Sequence, residues 1–323
     1  MTARIDTDLA RAIALLKEGA AVAIPTETVY GLAADAMNPA AVRRVFALKG
    51  RPATHPVIVH IADATAIDAW AQRVPDAARV LAAAFWPGPL TLILPRRPEV
   101  PDSVTGGQDS VGLRVPDHPL SLALLEQSGL GLAAPSANRF GRVSPTTAEH
   151  VASELGDAVD MILDGGPCRV GVESTIVDFT GPTPVLRRPG DLSPEAIAAA
   201  LGQPIAFAPG SGPRAPGTLA AHYAPRTPLC LAGRDTLWRR IEQLSREGVR
   251  VAALALAPVT TNQPNVSVMP AEAEAYARLL YARLREIDAA DYDILLVETV
   301  PDTPAWLAVR DRLRRAAAHC PPA

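Results

Sequence analysis

Short apolar runs of strand length alternate with segments of helical period along this chain. The alternation stops at one place, a stretch of glycine, proline, alanine and serine at 203–226. Each helical segment carries the chain back across a sheet, so the pattern calls for layered α/β packing. In the first part, Thr7 and Asp8 are cap candidates before Leu9, Ile13 and Leu16, a helical spacing that stops at Gly19 and leads into a strand at 20–24. Asn38-Pro39 reads as a cap and first helical position for the helix of Val42, Val45, Phe46 and Lys49. Further helices are expected at 64–71, 76–85, 117–127, 146–155 and 194–201, and strands at 57–61, 90–94, 111–115, 130–134, 159–163 and 174–179. After the break come strands at 228–232, 250–256 and 292–297 with helices at 235–247, 271–289 and 304–318. The expected division is a larger domain at 1–202, a linker or lid at 203–226 and a smaller βαβ-rich domain at 227–323. A chain of 323 residues is long enough for two cores.

Charge narrows the function classes. A net charge of −3 makes the whole chain a poor partner for nucleic acid or an anionic membrane, so any anion site has to be local. No apolar run reaches membrane-spanning length and the start of the chain has no signal-like segment, which points to the cytoplasm. Cys168, Cys230 and Cys320 are odd in number and far apart, so neither a disulfide framework nor a zinc site is expected. Only Lys17 and Lys49 among 31 basic residues are lysine, so a lysine beside an arginine marks two cations that are not interchangeable.

Five constellations could carry chemistry. Pro25-Thr26-Glu27-Thr28-Val29-Tyr30-Gly31 follows the first long strand and reads as a polar turn or as a ligand loop at a strand edge. Lys49-Gly50-Arg51-Pro52 places two cations around a glycine, suited to a polyphosphate or to the end of a helix dipole. His55 and His60 flank an apolar strand and point to opposite faces, so they cannot chelate one metal. Ser110-Val111-Gly112-Leu113-Arg114 sets an arginine among apolar residues, where it needs a substrate carboxylate or a structural salt bridge; Arg187-Arg188 raises the same question. Pro135-Ser136-Ala137-Asn138 and Ser144 precede a helix and fit either capping or anion binding, with Thr146 and Glu149 at capping-box spacing. A further acidic and hydroxyl cluster, Gly171-Val172-Glu173-Ser174-Thr175-Ile176-Val177-Asp178, lies on a strand. Phosphate-loop, dinucleotide, zinc-protease and serine-hydrolase signatures are absent.

Read in order, P-T-E-T-V-Y-G-L, K-G-R-P, P-V-I-V-H-I, V-G-L-R-V-P, P-S-A-N, E-S-T-I-V-D, L-R-R-P-G and H-Y-A-P resemble the L-threonylcarbamoyladenylate synthase family in its two-domain form. The resemblance implies a YrdC-like twisted open α/β N-terminal domain and a smaller Rossmann-like α/β C-terminal domain. It implies a nucleotidyltransferase that converts L-threonine, bicarbonate and ATP into threonylcarbamoyl-AMP and pyrophosphate, for modification of tRNA beside the anticodon. By motif matching, Thr28, His60, Arg114 and the backbone at Ala134 would hold threonine. Lys49, Arg51, His55, Ser110, Ser136, Asn138, Ser144, Ser174, Arg188 and Tyr223 would surround ATP, with Lys49 and Arg51 the catalytic cations. His55 stands where family members often carry Asn. Mg²⁺ would travel with ATP, held by phosphates and water, with no protein metal ligands assigned. The implied partners are the small substrates and, transiently, the tRNA threonylcarbamoyl transferase complex. The competing class is a tRNA or double-stranded RNA module without catalysis, which the net charge and the scarcity of aromatic residues oppose.

Overall fold

The structure is a computed structural model that describes residues 5–210, 212–258, 263 and 265–320. Ser211, within the expected lid, lies outside the described residues. The chain divides into two compact units, Met1–Phe140 with Ser144–Thr218, and Gly141–Val143 with Leu219–Ala323.

The first unit is built on a mixed sheet of eleven strands: β1 (Ile5–Asp6), β2 (Val22–Ile24), β3 (Gly31–Asp35), β4 (Ile58–His60), β5 (Leu90–Pro95), β6 (Ser110–Arg114), β7 (Leu132–Ala133), β8 (Met161–Leu163), β9 (Thr175–Asp178), β10 (Val185–Arg188) and β11 (Ala206–Phe207). Their order is β1-β8-β2-β3-β7-β4-β6-β5-β9-β10-β11. Strand β4 runs parallel to β6 with His60 opposite Arg114, and antiparallel to β7 with His60 opposite Leu132. Side chains on β3 alternate between two cores: Leu32 and Ala34 join the one that holds Phe46, Leu92 and Leu113, while Ala33 joins Leu16 and Leu124 on the other face. With both faces covered, β2 is buried throughout and reads as a continuous apolar run rather than an alternating one.

The helices of this unit are α1 (Leu9–Lys17), α2 (Pro39–Lys49), α3 (Ile67–Trp70), α4 (Asp76–Phe85), α5 (Asp102–Thr105), α6 (Pro119–Ser128), α7 (Ala148–Leu155) and α8 (Pro194–Leu201). Asp8 caps α1 by accepting from the Arg11 N–H, and Asn38 caps α2 through Ala40 and Ala41. Helix α2 ends at Gly50 in the left-handed conformation, φ 64°, which turns the chain so that Lys49 and Arg51 leave the helix end together. The cap of α7 is Thr147, not Thr146; its hydroxyl accepts from the His150 N–H.

Three departures from the sequence reading have physical reasons. Gly31 does not end a turn but opens β3, whose Gly-Leu-Ala-Ala-Asp sequence lacks the β-branched residues that announce a strand. Strand β10 ends in Arg187-Arg188, a polar finish that hides its register against β9. Cys230 and Cys320 form a disulfide, Cα–Cα 5.0 Å, although 90 residues separate them; Cys168 is free and buried.

The second unit carries a parallel sheet of β12 (Leu229–Ala232), β13 (Val251–Leu256), β14 (Val266–Met269) and β15 (Ile294–Glu298) in the order β12-β15-β13-β14. Helices α9 (Arg234–Arg246), α10 (Ala273–Ala289) and α11 (Leu307–Ala316) complete it. The chain after α11 returns beside β12, which is how the two cysteines meet. Among the described residues no helix is long and apolar enough to cross a membrane.

Candidate active site

The loop at 25–30 joins β2 to β3 and is held by backbone bonds along its length. Val170 N–H donates to the Glu27 carbonyl at 2.8 Å, Gly171 N–H to the Thr28 carbonyl at 3.1 Å, and Tyr30 N–H to the Pro145 carbonyl at 2.9 Å. The Thr26 hydroxyl donates to the Val29 carbonyl at 2.6 Å and lies 2.9 Å from the Thr28 hydroxyl. A loop tied in this way presents Glu27 and Thr28 in one fixed arrangement, and both side chains are buried.

Glu27 faces Arg114. Its Oε1 lies 2.7 Å from Arg114 Nη2, and its Oε2 accepts the Asp117 N–H at 3.1 Å. The ion pair is close but poorly aligned: Glu27 Oε1 and both Nε and Nη2 of Arg114 are buried without a hydrogen bond. His60 stands beside Arg114 in the β4–β6 register. Burial, reinforced by repulsion from Arg114, pushes its imidazole down to about 3, so it is neutral at any ordinary pH. Ala134 follows β7, and its N–H donates to the Ile58 carbonyl at 3.2 Å. The β4–β6–β7 neighbourhood therefore gathers His60, Arg114 and Ala134, and the Glu27 pairing brings the Thr28 loop to them. The cause of the Arg114 pairing was open in the sequence; the structure supplies a carboxylate for it.

A second group forms around α2. Lys49 is buried, and its Nζ donates to the carbonyls of Ser136 and Asn138. Burial first, then repulsion from Arg51, holds its pKa well below the usual lysine value. Both of these partners are neutral carbonyls. Arg51 Nη2 donates to the Pro56 carbonyl at 2.6 Å, and its guanidinium lies 5.5 Å from the Phe46 ring and 5.9 Å from Phe140. His55 packs edge-on to Phe140, ring centroids 5.3 Å apart, and is held below the usual imidazole range by burial and then by Arg51.

The third group lies along β9 and β10. Arg188 donates from Nε to the Ser174 carbonyl and from Nη2 to the Ser174 hydroxyl, each at 3.0 Å, and from Nη1 to the Pro216 carbonyl at 2.9 Å. Ser174 Oγ is 2.8 Å from the Thr91 hydroxyl, and Thr91 lines a small cavity with Ser110, Ile58, Ile176 and Pro216. Ser144 donates to Glu173 Oε1 at 2.6 Å. Gly190 permits this packing, because a Cβ there would come within 2.4 Å of Thr175 N and 2.6 Å of the Glu173 carbonyl. The start of the expected lid lies along this unit: Arg214 N–H donates to Gln108 Oε1 at 2.6 Å, Gln108 Nε2 donates to the Arg214 carbonyl at 3.1 Å, and Ala215 packs with Ile58, Ile93 and Ile176.

Tyr223 belongs to the second unit. Its backbone is left-handed, φ 60°, and its ring lies 5.0 Å from the Arg312 guanidinium and stacks on Tyr281 at 6.0 Å. Among the described residues no group of three or more His, Cys, Asp and Glu could hold a metal. Sequence reasoning singled out neither Glu27 nor Glu173 as a partner of a site residue. Both lie in motifs it noted, but pairs 87 and 29 positions apart leave no local signal.

The fold is a two-unit α/β architecture, and comparison with known proteins gives the class, a YrdC-like enzyme of the nucleotidyltransferase type. The family model described as "Telomere recombination", of the Sua5, YciO and YrdC proteins, matches residues 14–190, and "Threonylcarbamoyl-AMP synthase, C-terminal domain" matches 192–318. The chain is 42% identical to the threonylcarbamoyl-AMP synthase of Bacillus subtilis, over 97% of this chain and 93% of that protein. It is 41% identical to that of Pyrococcus abyssi, over 95% and 93%. A crystal structure of P. abyssi Sua5 complexed with L-threonine superposes with a TM-score of 0.90 at 40% identity, covering 98% of this chain and 97% of that one. The chain belongs to the two-domain threonylcarbamoyl-AMP synthase family.

Proposed function

We propose that the first unit converts L-threonine, bicarbonate and ATP into threonylcarbamoyl-AMP and pyrophosphate, the product serving threonylcarbamoyl modification of tRNA adenosine beside the anticodon. The observation that carries the site assignment is the buried Arg114, which keeps hydrogen-bonding capacity beside a neutral His60, in the same unit as the Lys49 and Arg51 cations at the end of α2. The P. abyssi relative solved with L-threonine supports the amino-acid side of this reading.

In this reading the threonine carboxylate meets Arg114, with Thr28, His60 and the Ala134 backbone around it. The amine, once its ammonium has lost a proton to solvent, attacks bicarbonate with loss of water, or carbon dioxide with loss of a further proton, and gives a carbamate. A carbamate oxygen then attacks the α-phosphorus, the bond to the β-phosphate oxygen breaks, and pyrophosphate leaves in line. Such a reaction is promoted by positioning and by charge stabilisation, without a protein nucleophile. Lys49 and Arg51 oppose the charge that builds on the departing phosphates. His55, Ser110, Ser136, Asn138, Ser144, Ser174, Arg188 and Tyr223 complete the nucleotide's surroundings. Mg²⁺ enters as part of the nucleotide; the donors in this unit's nucleotide groups are cations, hydroxyls and amides, which suit a metal carried by phosphates and water.

The working division is a catalytic domain at 1–202, a strap at 203–226 that covers the nucleotide, and a C-terminal domain at 227–323. A mixed anhydride hydrolyses readily, so its consumer, the tRNA-modifying transferase complex, acts in transient contact with this enzyme in the cytoplasm. The test is pyrophosphate release from ATP and Mg²⁺ with threonine and bicarbonate omitted one at a time. Release that requires both supports the reading, and release that requires neither overturns it. A Tyr223→Ala variant with unchanged ATP affinity would remove the strap contact from the proposal.

A further inference from the structure

Glu27 has no part in the assignments above, yet it is the carboxylate closest to the cation given to threonine. Its side chain is fully shielded from solvent, that of Arg114 is 5% exposed, and the two lie 2.7 Å apart. A buried ion pair of this kind is weak evidence for stability, because desolvation offsets most of the attraction unless the remaining donors and acceptors are satisfied. Here they are not: Oε1 on one side and Nε and Nη2 on the other lack hydrogen bonds. Meanwhile Oε2 is fixed by the Asp117 N–H and the Glu27 carbonyl by Val170, so the carboxylate is held while Oε1 faces the Arg114 cation without a hydrogen bond.

We propose that Glu27 receives the α-ammonium group of the amino-acid substrate, so that the Glu27–Arg114 pair is a receptor selective for zwitterions. The proposal rests on the threonine reading of this site and deepens it. When an amino acid enters, its carboxylate replaces Glu27 on Arg114 and its ammonium replaces Arg114 on Glu27. Every buried charge exchanges one opposite partner for another, and none is stranded. A carboxylic acid without the amine satisfies Arg114 and leaves Glu27 buried without a counter-charge, a penalty that rejects it. The two groups also stand on different elements, the β2–β3 loop and the end of β6, so one ligand that bridges them reads both at once.

The experiment is calorimetric titration of the full-length protein with L-threonine and with 3-hydroxybutyrate, which is threonine without its amine. The wild type is expected to favour threonine by about 30-fold or more. Glu27→Gln, near in size but uncharged, is expected to bring that preference to about threefold or less, mainly by weakening threonine, while ATP affinity stays within about twofold. Glu27→Asp should recover part of the preference. A merely structural Glu27 would weaken both acids and ATP together, and that result, or an unchanged preference in Glu27→Gln, overturns the proposal. Should Glu27→Gln not fold, the wild type decides: equal binding of the two acids also overturns it. A wild type that binds threonine selectively but releases no pyrophosphate would defeat the synthase reading while sparing this receptor.

Discussion

Two short arginine–carboxylate pairs, one in each unit, differ in burial and in what they leave over: both Glu27 and Arg114 are buried, whereas in the Arg234–Glu298 pair the carboxylate is buried and the arginine side chain is 48% exposed. In the second unit Arg234 donates from Nε to Glu298 Oε1 at 2.6 Å and from Nη2 to the Leu256 carbonyl at 2.8 Å, while Glu298 Oε2 accepts the Leu256 N–H at 2.8 Å. Both Glu298 oxygens are engaged, so the pair locks the C-terminal ends of β13 and β15 to the start of α9. The Glu27–Arg114 pair is as short, yet its facing atoms Oε1 and Nη2 make no aligned hydrogen bond and Nε makes none either. Closed hydrogen bonding fits a structural pair, and the open capacity of the other is what the proposed ligand role draws on.

The comparison breaks most sharply at Arg114. Arg114→Ala should raise the threonine KM by about 100-fold or more and leave ATP affinity within about twofold, read from pyrophosphate release and nucleotide titration. Equal losses for both substrates would mean that the two sides of the site are not separable. Next in size is Cys230→Ser, which opens a 90-residue crosslink and should lower the stability of the second unit by about 2–4 kcal/mol, seen in denaturant unfolding, with threonine KM unchanged. Arg234→Ala should cost about 1–2 kcal/mol and likewise leave the kinetics of the folded protein alone.

His60 supplies a pH test of the first unit. Its folded pKa is near 3 against an ordinary value of 6.5, so between these the unfolded chain binds the extra proton. Stability is therefore independent of this group above pH 6.5 and falls as pH drops from 6.5 towards 3, by up to about 1.4 kcal/mol per unit. Unfolding curves of His60→Gln should lose that share of the acid slope. The smallest effect is expected at Gln108→Ala, which removes two exposed bonds to Arg214 and should change the ATP KM by about twofold.

How much could be read beforehand follows from the range of each signal. Asp8, Asn38 and the periodic helices were legible because caps and 3.6-residue spacing are local. The motif residues were legible as loops at strand ends, and family resemblance grouped them. Gly31–Asp35 was not legible as a strand, since small residues pack in a covered sheet without announcing it. The Cys230–Cys320 bond was misread because its closure depends on the chain returning past β12. The partner of Arg114 stayed open for the same reason: Glu27 meets it only after β2, β3 and β6 are assembled into one sheet.

The central claim is that unused hydrogen-bonding capacity at Arg114, and not merely a buried ion pair, defines the amino-acid site. Titrating L-threonine into the wild type, Arg114→Ala and Arg234→Ala tests it most directly. The account expects binding in the wild type and Arg234→Ala and its loss in Arg114→Ala; threonine binding of equal strength in all three would contradict it.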